Sequence, residues 1–175
     1  MFEIRIHSRG GQGGVTAARL LALAAIHDGK YATAAPFSGA ERRGAPIVSF
    51  VRIDEKPIKV YSQIKKPDMV IVLDASVMDV VDVLQGLKSG GKVLVNSQQK
   101  KEFAGYISSN VDLTGIALKE NLMVSGSPIL NTPVIGALAK MGIVSVDSAT
   151  KAIREMFSDE RNVKAAETAY REMGA

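Results

Sequence analysis

Residues 2–14 read Phe2-Glu3-Ile4-Arg5-Ile6-His7-Ser8-Arg9-Gly10-Gly11-Gln12-Gly13-Gly14, and the run Val15 to Asp28 that follows is rich in alanine and leucine. This is the order strand, glycine turn, helix. Four glycines at such a crossover leave backbone N–H groups bare enough for an anion or a partner to approach closely. As a dinucleotide fingerprint the turn fails. Counting from Gly11 gives Gly11-x-Gly13, but the third glycine position falls on Thr16. The acid expected about 20 residues further on, to hold a ribose hydroxyl, is missing too, because the second strand candidate, Lys30 to Ala35, runs into Pro36. A tight crossover that binds nothing is the plain alternative.

Outward from this turn the chain alternates strand and helix signals. Gly29 is placed to stop the first helix. Residues 36–46 form a loop bounded by Pro36 and Pro46 and punctuated by Gly39 and Gly44. Ile47 to Ile53 alternates as a strand, Asp54 to Pro57 turns, and Ile58 to Tyr61 returns, which predicts an antiparallel hairpin. Asp68 to Asp74 is apolar on both faces, as a buried central strand should be. Val77 to Leu87 carries apolar residues at helical spacing, and Gly90-Gly91 leads into the strand Lys92 to Asn96. Val111 to Ala117 and Leu122 to Val124 are weaker strand candidates. In the last third, Asn131-Thr132-Pro133 offers a cap and first-turn proline for a helix through Met141, which Gly142 ends. Asp147 or Ser148 caps the next helix, and Val163, Ala166, Tyr170 and Met173 line a final one. The expected fold class is α/β, a three-layer α/β/α arrangement around a mixed, mostly parallel, Rossmann-like sheet with one antiparallel hairpin. Residues 1–175 are expected to form a single domain.

Composition narrows the function. The 175 residues are 46% hydrophobic and 23% charged, with net charge +4, an ordinary globular balance. Scattered bases and few aromatics predict no nucleic-acid partner. No apolar stretch is long enough to span a bilayer and no signal peptide is visible, so the expected location is the cytoplasm without membrane attachment. Cysteine is absent, which excludes disulfides, a thiol nucleophile and self-ligated iron–sulfur clusters.

Beside the glycine turn, Glu41-Arg42-Arg43-Gly44 can present two forked guanidiniums to phosphate or carboxylate, unless both are simply solvated or paired with nearby acids. Asp74 and Asn96 each end a predicted parallel strand, where ligands of open α/β sheets bind, although both are also common turn residues. Gln12 adds a neutral donor or acceptor. His7 and His27 are the only histidines. His7 could orient a ligand or be a hydrogen-bonded structural residue, and His27 suits a helix C-terminus. No nucleophile elbow, phosphate-binding Gly-Lys-Thr or His-Glu-x-x-His occurs.

Taken together, Gly10-Gly11-Gln12-Gly13-Gly14 with its helix, Pro36-x-x-Gly39-x-Glu41-x-Arg43-Gly44, Asp68-x-Val70-x-x-Leu73-Asp74, Gly90-Gly91 to Asn96-Ser97, and Asn131 before Gly136-Ala137-Leu138 resemble the gamma subunit of the 2-oxoacid:ferredoxin oxidoreductases, of which pyruvate:ferredoxin oxidoreductase is the best known. The resemblance runs from about Glu3 to about Tyr170. It implies a subunit of an enzyme that oxidatively decarboxylates a 2-oxoacid with coenzyme A, giving acyl-CoA, carbon dioxide and reduced ferredoxin. It further implies that thiamine diphosphate, with magnesium, and the iron–sulfur clusters reside in alpha, beta and delta partners, that ferredoxin accepts the electrons, and that this chain binds no cofactor tightly. Assembly and coenzyme A binding at an interface are the roles implied for it, with the glycine turn and Arg42 or Arg43 facing the coenzyme A phosphates or a neighbouring subunit. By itself the chain is expected to be inactive and free to homo-oligomerise. Two alternatives stand beside this: a purely structural docking subunit, and a stand-alone NAD(P)-dependent oxidoreductase.

Overall fold

The computed structural model describes residues 1–36 and 44–174. The elements are β1 (Phe2–Arg9), α1 (Gly14–His27), β2 (Tyr31–Pro36), β3 (Pro46–Asp54), β4 (Met69–Val72), a 3-10 turn (Ala75–Asp79), β5 (Lys92–Asn96), β6 (Ile107–Val111), α2 (Leu113–Lys119), β7 (Met123–Val124), β8 (Ser127–Pro128), α3 (Asn131–Lys140), α4 (Val146–Met156) and α5 (Arg161–Glu172). Six strands form one sheet in the order β2-β3-β1-β4-β5-β6. Pairings β1–β4, β4–β5 and β5–β6 are parallel, while β3 runs antiparallel to both β1 and β2. From β1 the chain first crosses to one side of the sheet and then to the other. The carboxyl end of β1 is therefore a switch point, where a crevice opens in open α/β sheets.

The alternation of β1 divides its chemistry between two faces. Ile4 and Ile6 lie fully buried with Val51, Ile71 and Leu94 against α1, α3, α4 and α5. Each large aliphatic side chain so buried contributes about 1.5–3 kcal/mol. Alanines at 17, 18, 24 and 25 bring α1 close to the sheet. α3 is enclosed from Asn131 to Ala139. Its Gly136 lies directly against the Ala166 carbonyl of α5, so that a Cβ there would overlap the oxygen.

Glu3, Arg5 and His7 point to the opposite face, which is covered by turns. Val70, Val72, Val93 and Val95 pack there on Val77, Val83 and Leu87. The predicted helix over Val77 to Leu87 does not form beyond the 3-10 turn at Ala75–Asp79. Branched valines disfavour the helix, and Asp82 spends its carboxylate on the Leu84 N–H at 3.1 Å, fixing a turn instead. The apolar spacing survives because the same side chains still reach the sheet.

Three further expectations are corrected. Ile58 to Tyr61 is not a strand; Arg52 draws in the Val60 and Ser62 carbonyls at 3.5 and 2.6 Å, and the antiparallel partners of β3 are β1 and β2. Val111 to Ala117 is not a strand either, since Asp112 caps α2 by accepting from the Gly115 N–H and β6 ends at Val111. Finally, α4 is capped by Ser145 rather than Asp147 or Ser148, and α3 begins at Asn131 after Leu130, with no side-chain cap.

His7 is 2% exposed, and its Nε2 accepts from Arg5 Nε at 3.0 Å. Burial, and then the Arg5 charge, push its pKa down from 6.5 to about 4. The native ring is neutral where an unfolded chain would already be protonated. Stability is therefore complete above pH 6.5 and falls toward pH 4, by up to ~3 kcal/mol. His7→Gln, which keeps an acceptor for Arg5, should flatten that slope in urea denaturation across this range; an unchanged slope would exclude His7 as its source. Gly136→Ala should cost about 1–3 kcal/mol by prising α3 from α5, and an unaltered denaturation midpoint would show that no such contact exists.

Candidate functional site

At the carboxyl end of β1 the chain turns through Gly11 at φ 95° and Gly13 at φ 87°, conformations that glycine adopts without strain. Side chains hold the turn on every side. The Gln12 Oε1 accepts from the Arg9 N–H at 2.8 Å, and its Nε2 donates to Asp74 Oδ2 at 2.7 Å. The Gln12 carbonyl accepts from the Leu130 N–H at 3.1 Å, tying the turn to the start of α3. Arg9 donates to Ser76 Oγ and to the Gly44 carbonyl, each at 2.8 Å. Gly10 and the segment behind Gly44 exchange backbone bonds of 2.9 and 3.1 Å.

Asp74 accepts from Ser76 N–H and Oγ and caps the 3-10 turn. Burial raises its pKa, but hydrogen bonds from Ser76 and Gln12 and the Arg9 charge outweigh that and hold the carboxyl below its usual range. It is an anionic anchor for Gln12. Asn96 donates to the Leu73 carbonyl and Thr114 Oγ1, both at 2.8 Å, and joins β4, β5 and α2.

Beside the turn lies a groove of about 920 Å³. Gly10, Gly11, Gly13, Gly14 and Asn131 line it, while Gln12, Asp74, Asn96 and Gly44 do not. Glu41, Arg42 and Arg43 lie outside the described residues. The groove also receives Arg9, Arg19, Arg161, Asn162 and the rim segment Asn121 to Ser125, which sequence reasoning missed. Arg19 sits on α1 at helical spacing from Val15 and could have been placed by that spacing. Arg161 and the rim approach from distant parts of the chain and carry no local signal. The rim is a β7–β8 hairpin turning through Ser125 at φ 50° and Gly126 at φ 80°, the two positive angles of a tight hairpin turn.

Helix starts define the groove's electrostatics. α1 begins after Gly13 and α3 after Leu130, and neither has a side-chain cap or an acid in its first turn. Their ends abut, since a Cβ on Gly13 would stand 3.0 Å from Asn131 Cβ. By contrast α2 and α4 are capped by Asp112 and Ser145, and the first N–H of α5 is served by Asp159 at 3.0 Å. Uncapped N–H groups and the helix dipoles thus present positive potential to the groove. Asn131 is 5% exposed, and its buried Oδ1 has no hydrogen-bond partner among the described residues. Such an atom is costly unless something completes it. The site can hold an anion at the helix starts and a donor group beside it.

His27 ends α1 and pairs with Glu155 at 2.8 Å on the surface. Among the described residues no group of three or more His, Cys, Asp or Glu is placed to hold a metal, and no helix is long and apolar enough to cross a membrane.

A family model for pyruvate ferredoxin/flavodoxin oxidoreductase matches residues 3–172. The pyruvate/ketoisovalerate oxidoreductases common subunit gamma of Thermococcus kodakarensis is 51% identical over 182 residues, covering 97% of this chain and 96% of the relative. The pyruvate synthase subunit PorC of Methanocaldococcus jannaschii is 51% identical over 177 residues, covering 99% and 97%. The crystal structure of pyruvate oxidoreductase subunit PORC from Thermotoga maritima matches with a TM-score of 0.82 at 37% identity, covering 98% and 96%. Identity over nearly the whole length, on the same fold, settles the affiliation: the chain belongs to the pyruvate ferredoxin/flavodoxin oxidoreductase family, among its gamma subunits.

Proposed function

We propose that this chain works as the gamma subunit of a multi-subunit, thiamine-dependent 2-oxoacid:ferredoxin oxidoreductase and contributes assembly and coenzyme A binding at the glycine-turn groove. The observation that carries the reading is the meeting of two uncapped helix starts, at Gly13 and Asn131, in one groove. A phosphate fits the N–H groups there, with Arg19 on the wall adding charge; Arg161 is paired with Asp159 at 2.6 Å and adds none. Asn131 Oδ1 suits a hydroxyl or amide N–H of the same ligand. When bound, coenzyme A supplies the thiol that takes the acyl group. This chain's residues hold and orient it, while thiamine diphosphate, magnesium and the clusters belong to alpha, beta and delta partners. With no cysteine, the chain has no thiolate to give a cluster, so electrons reach ferredoxin through those partners.

A nicotinamide cofactor fits less well. The strand after α1, β2, is an antiparallel edge strand of composition Tyr-Ala-Thr-Ala-Ala-Pro. It offers no carboxylate to a ribose hydroxyl.

In the reconstituted complex, Asn131→Asp should raise the KM for coenzyme A at least tenfold by placing a carboxylate at the anion site. Arg43→Glu should alter either that KM or assembly. If both variants assembled normally with an unchanged KM, the coenzyme A assignment would be wrong.

A further inference from the structure

The turn-covered face of the sheet holds a second cavity of about 460 Å³, which shares no lining residue with the groove. Arg5 and His7 form its floor, the segment Gln63 to Lys65 one wall, and the turn from Val81 to Gln85 the other. Arg5 Nη2 donates to the Val83 and Gln85 carbonyls at 2.7 Å each, and Nε donates to His7 Nε2. Among the described residues no carboxylate comes within ion-pair distance of this largely buried guanidinium. Asp82, the acid whose field reaches it, is occupied with the Leu84 N–H.

Because Nε2 of His7 is an acceptor, the neutral ring carries its proton on Nδ1. That atom is buried without a hydrogen-bond partner. A buried donor left unpaired beside a guanidinium that has no ion pair calls for an acceptor of negative charge. A carboxylate satisfies both at once.

The rim says what carries it. Val60 is 42%, Tyr61 83% and Val80 66% exposed, on the two segments that flank the cavity. The first two are not loose, because Arg52 holds the carbonyls of Val60 and Ser62. Lys59, Lys65 and Lys66 nearby make no ion pair among the described residues. Large apolar side chains held out around a cavity that contains Arg5 and Lys65 match a polypeptide rather than a free acid. We propose that this face docks a segment of a partner subunit in which an Asp or Glu, flanked by apolar residues, places its carboxylate against His7 Nδ1–H and Arg5. The docking partner rests on the complex proposed above, but not on coenzyme A binding.

The test measures the affinity of labelled full-length chain for the remaining subunits of the complex. Lys65→Glu and Val80→Asp, rim changes that leave the core intact, should each weaken association tenfold or more, and Asp82→Asn, which removes a competing charge, should tighten it. Wild-type affinity in both weakened variants would overturn the docking site while leaving the complex standing. A wild-type chain that failed to associate at all would overturn both. In a second arm, sodium acetate is titrated into the isolated, nitrogen-15-labelled chain; saturable shifts at His7 together with unimpaired assembly of the rim variants would mean a free small acid occupies the cavity instead.

Discussion

The Gln12 side chain is the constraint on which the site depends. It bridges the Arg9 N–H and the Asp74 carboxylate, while its own carbonyl takes the N–H of Leu130. β1, the turn after β4 and the start of α3 are thereby held by one residue. Glycines alone would make the crossover permissive rather than defined. With Gln12 in place, the turn is closed from behind, and Gly13 is pressed against Asn131. Gly13, Gly14, Val15 and Thr16, the first residues of this crossover into α1, line the groove.

Side-chain acceptors serve most of the helix starts, including that of α5, where Asp159 accepts from the Arg161 N–H at 3.0 Å. Asp112, Ser145 and Asp74 supply side-chain caps to α2, α4 and the 3-10 turn. α1 and α3 lack them at the place where they converge. A missing cap costs roughly 0.5–2 kcal/mol of helix stability. Two such losses meet at one groove, beside an Asn131 oxygen without a partner among the described residues, and the proposed coenzyme A site would supply the missing hydrogen bonds.

Much of this could be read from the chain before any coordinates. Strict alternation placed β1 and β3, the doubly apolar Met69 to Val72 run placed β4, and Gly29 and Gly142 ended α1 and α3 as expected. The glycine turn stands out in the sequence as a candidate site, and Gly10, Gly11, Gly13, Gly14 and Asn131 line one groove. Errors arose where one polar side chain outvoted an apolar pattern. Asp82 turned a helical spacing into a loop, Arg52 pulled Val60 and Ser62 away from strand geometry, and Asp112 started a helix inside a weak strand signal. Gln12 and Asp74, candidate ligand residues on sequence grounds, hydrogen-bond each other, and Gln12 also accepts from the Arg9 N–H. No local pattern could bring Arg161 or the β7–β8 rim to Gly13, because long-range packing does that.

The central claim is that the N–H groups at the start of α1 are kept free for the phosphates of coenzyme A. Amide hydrogen exchange over Gly13 to Thr16, measured in the assembled complex with and without coenzyme A, tests it most directly. Coenzyme A binding should markedly slow exchange at these amides and at Thr132. Unchanged exchange there, under conditions where coenzyme A is bound and turned over, would contradict it.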